Sequence, residues 1–362
     1  MAGQPEYANN PVQSGNYASN GDQSMEVALA TKMQLILDQP MADVDSGLTN
    51  RDFEGDFFRI GDTVAIVKPD VSSVNIKFGT INTRATGGRG IDPTPYENKD
   101  ARLAPTNVDF DKNLMSIDKY TKYAFYVSDL QKLEGKWSYE SGNLDLHAQE
   151  IRKRHNLETV QMIINNAIVA GTDALLATDQ VETLGSSPAS PIVVADGNAL
   201  YKNVIVKIFA KLYDKGAITA DGQITYGSNS QEGKSTAGQI FLPTDLYTEL
   251  LTSNYLQDRS TVAADEKVAS GKFKTIMGLD VAIEPSLNPD AERHVTITGA
   301  GDGVMAIVAG TRNLITKAGK VLPPEKLRSR EYFADEFHGM EIYGKKIVEP
   351  KAGVCVFVKL GE

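Results

Sequence analysis

The sequence predicts an α+β fold made of a polar N-terminal arm, a long β projection, one very long helix, an α/β module and closing strands. Three observations carry that prediction. Residues 48–66, LTNRDFEGDFFRIGDTVAI, run from an acidic, aromatic segment through a turn into a strand, and β-type patterning then continues to Val127. Residues 144–170 place apolar side chains at helical spacing over an unusual length. The chain ends, over 333–359, in extended apolar stretches again.

Residues 1–23 are rich in Gly, Asn, Ser and Gln, and too poor in apolar side chains to offset their ordering entropy. They lack the basic-then-apolar order of a secretion signal. Two readings stay open for this arm: a frayed terminus, or a segment that orders against a neighbouring subunit. The first helix is expected over 24–38, with Ser24 as N-cap, Met25, Leu29, Met33 and Ile36 on one side, and Pro40 as the stop. At the turn, Gly61 can take a positive φ, while Asp62 and Thr63 can bond local backbone. Val64 and Ile66 then alternate as in a strand, as do Val74, Ile76 and Phe78 beyond Pro69-Asp70. A second extended run goes from Val108 through Ile117 to Val127 and is rich in tyrosine.

Between these strand systems, residues 79–107 carry Gly87, Gly88, Gly90, Pro93, Pro95 and Pro105 with no secondary-structure pattern. So long a segment between strands predicts a hairpin-like projection. Its Arg84, Arg89, Lys99 and Arg102 alternate with Asp92, Glu97 and Asp100. They are either solvated or bridge to an adjacent subunit.

The helix over 144–170 uses Leu144, Ala148, Ile151, Val160, Ile164, Ala167 and Ile168, with Gly171 placed to cap it. About 27 residues span about 40 Å, long for a globular helix, and without coiled-coil heptads it is a rigid strut laid across a sheet. Arg152, Lys153, Arg154 and His155 cluster in its middle. Trp137, beside Tyr139, is expected to be a packing residue where loop meets helix.

Residues 172–310 form a separate α/β module in this reading. A helix is expected over 198–215, ended by Gly216, then a strand over 239–242, Pro243, and a helix over 244–251. Residues 273–283 make a strand, a glycine bend and a strand. Val304 to Ala309 is apolar throughout and suits the middle of a sheet.

Composition narrows the function classes. With 362 residues, 41% hydrophobic and 23% charged, the chain has the profile of a soluble globular protein able to bury one or two cores. A formal net charge of −10 argues against avid nucleic-acid binding, though not against a locally basic face. The single Cys355 cannot form an internal disulfide and fits a reducing compartment. No apolar run approaches the length of a membrane span.

Catalytic signals are weak. Of four histidines, only His147 and His155 share a helix, and eight positions apart they cannot chelate one metal. Cys355 lies in an apolar strand with no His nearby, as a buried inert thiol would. The turn Gly299-Ala300-Gly301-Asp302-Gly303 lacks the Lys-Ser/Thr and the helix of a phosphate-cradling loop. No catalytic residue, metal site or cofactor is assigned.

Three segments, NRDFEGDF…GDTVAI (50–66), IMGLDVAI (276–283) and HGMEIYGKKIV (338–348), resemble the tailed-bacteriophage major capsid family with the Hong Kong 97-type fold. The resemblance is nearest to members with a separate scaffold. The order of elements agrees along nearly the whole chain. The resemblance implies an N-terminal arm at 1–58, an extended loop at 59–127, and a peripheral domain from 128–175, with its spine helix, joined by closing strands from 311–362. An axial domain would occupy 176–310.

It further implies a non-enzymatic structural protein of the virion. Such a protein self-assembles in the bacterial host cytoplasm as hexamers and pentamers of an icosahedral shell around double-stranded DNA. A separate scaffolding protein and a portal would be its partners, with no membrane. On that view Arg84, Arg89, Lys99 and Arg102 make inter-subunit contacts. Arg152, Lys153 and Arg154 are either a solvated helix face or a patch near packaged DNA. Neither a built-in scaffold nor a cross-linking signature is seen. Two alternatives stay open: an encapsulin-type compartment shell, and an α/β enzyme centred on 176–310.

Overall fold

The computed structural model describes residues 20–38, 43–51, 61–69, 110–133, 139–169, 180–218, 238–253 and 275–361. Two sheets, each on its own core, are bridged by one helix. That helix, α4, needs its predecessors defined first: α1 (Asn20–Asp38), α2 (Val44–Leu48), β1 (Thr49–Asn50), β2 (Thr63–Pro69), β3 (Phe110–Ser116), β4 (Lys119–Ser128) and α3 (Asp129–Leu133). Helix α4 then runs over Tyr139–Val169, 31 residues and about 46 Å.

The first sheet is organised around the 14-residue strand β12 (Ala334–Ile347). Strand β4 lies antiparallel along one edge of it, from Ser128 opposite Ala334 to Lys119 opposite Tyr343. Along the other edge lie β10 (Ile315–Val321) and β11 (Glu325–Arg328), and the two-residue β1 adds in parallel to β10. The second sheet has the order β5 (Ile192–Val194), β13 (Gly353–Leu360), β9 (Val304–Gly310), β6 (Gln239–Leu242), β8 (Leu279–Ile283), β7 (Thr275–Ile276). Strands β6 and β8 occupy the residues that the apolar runs predict, as does α7 (Thr244–Leu251) behind Pro243.

Strand β13 corrects the expected division of the chain. Residues 311–362 do not all close the first sheet: β13 pairs with β9 on one side and β5 on the other, in the second sheet's interior. Its alternation explains why. Val354, Val356 and Val358 face a core built with Leu200, Ile208, Leu246 and Leu250, while Cys355 and Phe357 face the opposite core. A strand buried on both faces must be central.

Helix α4 spans the gap between the sheets. Leu144, Ala148 and Ile151 in its first half pack on Tyr123, Val127 and Phe337 of the first sheet and on Met33 and Leu37 of α1. Val160, Ile163, Ile164 and Ala167 in its second half pack on Phe241, Ala306, Val308 and Phe357 of the second. Strands β2 and β3 form a hairpin whose base is closed by Gly61 N–H to Ile117 O at 2.7 Å and Ile117 N–H to Asp62 O at 2.9 Å. Gly61 does take a positive φ, +92°. Val64, Ile66, Met115 and Ile117 seat that base on Ala318, Ile342 and Val348.

Some expectations shift. Helix α1 begins at Asn20, so Ser24 lies inside it and is not its N-cap. Helix α4 begins at Tyr139, five residues earlier than the apolar spacing suggests. The helix expected over 198–215 is α5 (Gly197–Leu200) and α6 (Val206–Asp214) joined by a π-turn over Tyr201–Ile205. The strand expected over 74–78, Trp137 and the Gly171 cap lie outside the described residues.

Candidate functional site

Where α4 passes from one sheet to the other, its inward face changes character. Arg152, His155, Asn156 and Thr159 recur three and four positions apart and so share that face. All four are buried, between the apolar stretches that serve the two sheets. Helix α2 and strand β1 fill the gap opposite them. Asp43 caps α2 by accepting from Ser46 N–H at 3.0 Å, and this fixes Asp45 facing α4.

Asp45 is the centre of the arrangement. Its Oδ1 accepts from Lys345 Nζ at 2.7 Å and from Thr159 Oγ1 at 2.5 Å, and its Oδ2 accepts from Arg51 Nη2 at 3.3 Å. Lys317 Nζ stands 4.0 Å from the same carboxylate. Lys345 completes its ammonium with the His155 carbonyl at 2.9 Å and Thr159 Oγ1 at 2.8 Å. His155 donates Nε2–H to Glu341 Oε2 at 2.7 Å, and the other Glu341 oxygen lies 3.7 Å from Lys317.

The net extends to both sheets. Asn156 accepts from Asp45 N–H at 3.1 Å and donates to Glu284 at 2.6 Å, beyond β8. Tyr343 OH donates to Glu158 at 2.9 Å, and Lys119 Nζ pairs with the other Glu158 oxygen at 2.6 Å.

Burial sets the electrostatics. Desolvation works to raise the Asp45 carboxyl, but Lys345, Lys317 and Arg51 outweigh it and hold the group well below the usual carboxylate range. Burial opposes ionisation of Glu341 too, and Lys317 and His155 hold it low. The side chains of Asp45, His155, Lys317, Glu341 and Lys345 are each at most 3% exposed. Charges so enclosed have no face left for a substrate. What the arrangement can do is fix α4, both sheets and residues 43–51 in one geometry.

A second feature sits at the far end of the first sheet. Arg328 of β11 donates through both terminal nitrogens to Asp129 of α3, and through Nη1 to Asp335 of β12 at 3.1 Å. Lys132 also pairs with Asp335, as does Lys326 at 3.4 Å. Although desolvation opposes it, hydrogen bonds from Lys132 and Arg328 bring Asp335 down to about 2. This ionic clip presents Leu130, Leu133, Tyr332 and Phe333, all more than half exposed, with Tyr332 stacked on Tyr126 at 6.4 Å. Singly exposed apolar side chains are ordinary on a protein surface, and these four are large ones near one end of the sheet.

Of the residues singled out in the sequence, Arg84, Arg89, Lys99 and Arg102 lie outside the described residues. The basic cluster on α4 divides. Lys153 and Arg154 are exposed, Lys153 standing 3.8 Å from Glu150. The reading of Arg152 as part of a solvated face or a patch near packaged DNA is corrected: it is buried, pairs with Asp43 at 2.9 Å and donates to the Ile36 carbonyl at 3.2 Å. Cys355 is buried, which pushes its thiol up to about 12. Residues 299–303 turn through Gly299 and Gly303, both at positive φ, straight into β9.

The His147 ring lies 5.3 Å from that of Phe125, tilted by 38°, and His294 and His338 are exposed. Among the described residues no group of His, Cys, Asp and Glu could hold a metal ion, and no helix is long and apolar enough to cross a membrane. The Asp45 node was missed. The sequence gives little sign of it, because Lys317, Glu341 and Lys345 lie in strands that also carry Lys320, Asp335, Glu336, His338 and Lys346.

No protein-family model matches the chain, and no curated protein matches it. Solved structures do. A chain of Mycobacterium phage Che8 aligns over 87% of this chain and 90% of its own, at 14% identity and a TM-score of 0.55. The mature capsid of bacteriophage PhiM1 aligns over 88% and 90% at 15% identity and a TM-score of 0.49. The capsid of Cyanophage P-SCSP1u aligns over 88% of both chains at 10% identity and 0.49. The likeness to the Che8 chain is one of fold. The chain has the α+β Hong Kong 97-like capsid fold, as the motifs at 50–66, 276–283 and 338–348 lead one to expect.

Proposed function

We propose that this chain is the major shell protein of a tailed-phage head. It assembles in the host cytoplasm as hexamers and pentamers into an icosahedral shell around packaged double-stranded DNA, with a scaffolding protein and a portal as partners. The observation that carries the reading is the chain-long likeness of fold to a phage chain, at a TM-score of 0.55. The arrangement of this chain's own elements supports it.

A shell subunit must be stiff where it sets curvature and must reach where it grips neighbours. Stiffness comes from α4, clamped to both sheets by the Asp45 network. Reach is assigned to the hairpin that starts at β2 and β3, with Arg84, Arg89, Lys99 and Arg102 pairing across subunits. Many modest contacts, each near or below the ~1,200 Å² of a stable pairwise interface, stay correctable until closure makes them collectively tight. The exposed apolar end at Leu130, Leu133 and Phe333 is a further subunit contact. Lys153 and Arg154, on the solvent side of α4, face the packaged DNA. The role is structural, and no catalysis is assigned to the chain.

The test is electron microscopy of the purified chain, alone and co-expressed with the scaffolding protein, alongside a variant lacking residues 79–107. Shells are expected from the full chain, and folded subunits that fail to close from the deletion. A full chain that stays monomeric under both conditions, or shells of normal size from the deletion, would overturn the reading.

A further inference from the structure

Residues 311–314 carry the chain from β9 of the second sheet to β10 of the first, and residues 348–352 carry it back from β12 to β13. The two crossings are zipped together. Thr311 N–H donates to the Ala352 carbonyl at 2.9 Å, while Val348 and Glu349 N–H both donate to the Leu314 carbonyl, at 3.0 and 3.3 Å. Glycines permit the close approach. A Cβ on Gly310 would stand 2.7 Å from the Ala352 carbonyl oxygen, and one on Gly353 would stand 2.7 Å from Leu314 Cδ2.

Leu314 N–H returns to the Thr311 carbonyl at 3.0 Å, so Arg312 and Asn313 are the central pair of a β-turn. Turns run over protein surfaces, and their central residues normally meet solvent. Arg312 is nonetheless only 7% exposed. Every other buried cation among the described residues is matched: Arg152 by Asp43, His155 and Lys317 by Glu341, Lys345 by Asp45. Arg312 is the exception, since among the described residues no hydrogen bond or ion pair reaches its guanidinium. The hydroxyl of Thr311 beside it is enclosed and makes no hydrogen bond either.

An enclosed guanidinium without an acceptor destabilises the fold that holds it, and so demands a partner. Its planar fork of donors matches a carboxylate or a phosphate. Access decides between them. A side chain with so little exposed surface can be reached by one slender group, not by the backbone of a nucleic-acid duplex. The chain's 47 acidic residues against 37 basic ones bring surplus carboxylates to any contact between copies.

We propose that Arg312 is an interface receptor for a carboxylate: an Asp or Glu side chain of a second copy enters beside the 311–314 turn and pairs with its guanidinium as subunits assemble. This rests on the shell reading above. The zipped crossings fix the turn beforehand, so little ordering entropy remains to be lost on docking. The unpaired charge weakens the isolated subunit, and assembly relieves it. One residue at the link between the sheets therefore acts with opposite sign on the lone subunit and on the shell.

The experiment compares the full-length chain with Arg312→Met, which keeps the length of the side chain and removes its charge. Urea titration of the soluble subunit should give a higher midpoint for the variant, because an unpaired buried charge is gone. The concentration needed to form shells should rise about tenfold or more, because the entering carboxylate has lost its cation. Arg312→Lys supplies an amine for a zero-length carbodiimide. In its shells mixed from isotopically light and heavy subunits, mass spectrometry should find that amine coupled to an Asp or Glu of the other isotope. A lower urea midpoint for Arg312→Met places the partner inside the subunit and overturns the proposal. Unchanged shell formation by Arg312→Met, or coupling confined to a single isotope, overturns it too and leaves the shell reading standing. A wild-type chain that forms no shells overturns that reading, and the proposal with it.

Discussion

Gly344 gives the sharpest test of how the hairpin is seated. It lies in β12 opposite Ala318 of β10, where the end of β3 crosses close above it. A Cβ built on Gly344 would stand 2.4 Å from the Ser116 carbonyl oxygen, 3.2 Å from the Ser116 carbonyl carbon and 3.0 Å from Ile117 Cδ1. Unstrained heavy-atom contacts need about 3.5 Å, so Gly344→Ala falls short by about 1 Å against a backbone atom that cannot rotate away.

Relief requires the hairpin base to move as a body, because Ile117 is tied to Gly61 and Asp62 by paired backbone bonds. Overpacking of this kind costs about 1–3 kcal/mol, offset by about 0.4–1 kcal/mol from the stiffer unfolded chain. The expected net loss is about 1–2 kcal/mol, with faster exchange confined to 61–66 and 113–117.

Urea unfolding and hydrogen exchange of the soluble subunit measure both. Gly142→Ala is the control. It lies in α4 with nothing within 4 Å of the added Cβ, and should stabilise by up to about 1 kcal/mol. If Gly344→Ala matches wild type in midpoint and in exchange at the hairpin base, the close crossing of β3 over β12 is wrong.

Three further outcomes are expected. Lys345→Met leaves Asp45 buried without its nearest cation and should cost about 3–5 kcal/mol by denaturant titration, whereas pairing it with Asp45→Leu should recover a large part of that. Asp45 and Glu341 bind protons less readily folded than unfolded, so their stabilisation is complete above about pH 5 and is lost as pH falls below about 4. A wild-type stability curve that stays level from pH 6 to pH 2, or an Asp45→Asn curve with the same acid slope as wild type, would contradict this. Phe357→Ala, at the fully buried centre of β13, should cost about 3–5 kcal/mol in the same assay, while a β13 at a sheet edge would lose far less.

Legibility in the sequence tracked how local the cause was. Gln239–Leu242, Pro243 and Thr244–Leu251 follow from a short apolar run, a helix-starting proline and amphipathic spacing, and they fold as read. The bend in IMGLDVAI also follows: Met277 and Gly278 both take positive φ, +52° and +80°, to turn β7 into β8. The first turn of α4 was missed because Ser141, Gly142 and Asn143 are poor helix formers. Tertiary contacts override them, Tyr139 packing on the first core and Lys32 pairing with Asp145 at 2.7 Å. The place of β13 could be read as central from its continuous apolar run, but not which sheet it enters, since β5 and β9 lie some 165 and 50 residues upstream.

The Asp45 network was invisible for a related reason. Its members stand at 45, 155, 159, 317, 341 and 345, and each alone is an ordinary polar residue. Helical phase would have exposed part of it. Successive residues on a helix turn about 100°, so Arg152, Lys153, Arg154 and His155 cannot share one face. Ile151 and Ala148 already mark the buried side, which draws Arg152 and His155 inward with them and leaves Lys153 and Arg154 out. The outer pair is then free to meet a polyanion and the inner pair to lock the sheets. Lys153→Glu/Arg154→Glu should leave subunit stability within about 0.5 kcal/mol of wild type, and the proposed placement of this pair toward DNA predicts weaker, salt-sensitive DNA retention by the assembled variant. Arg152→Ala should instead destabilise the subunit, because Asp43 and the Ile36 carbonyl lose their donor inside the protein.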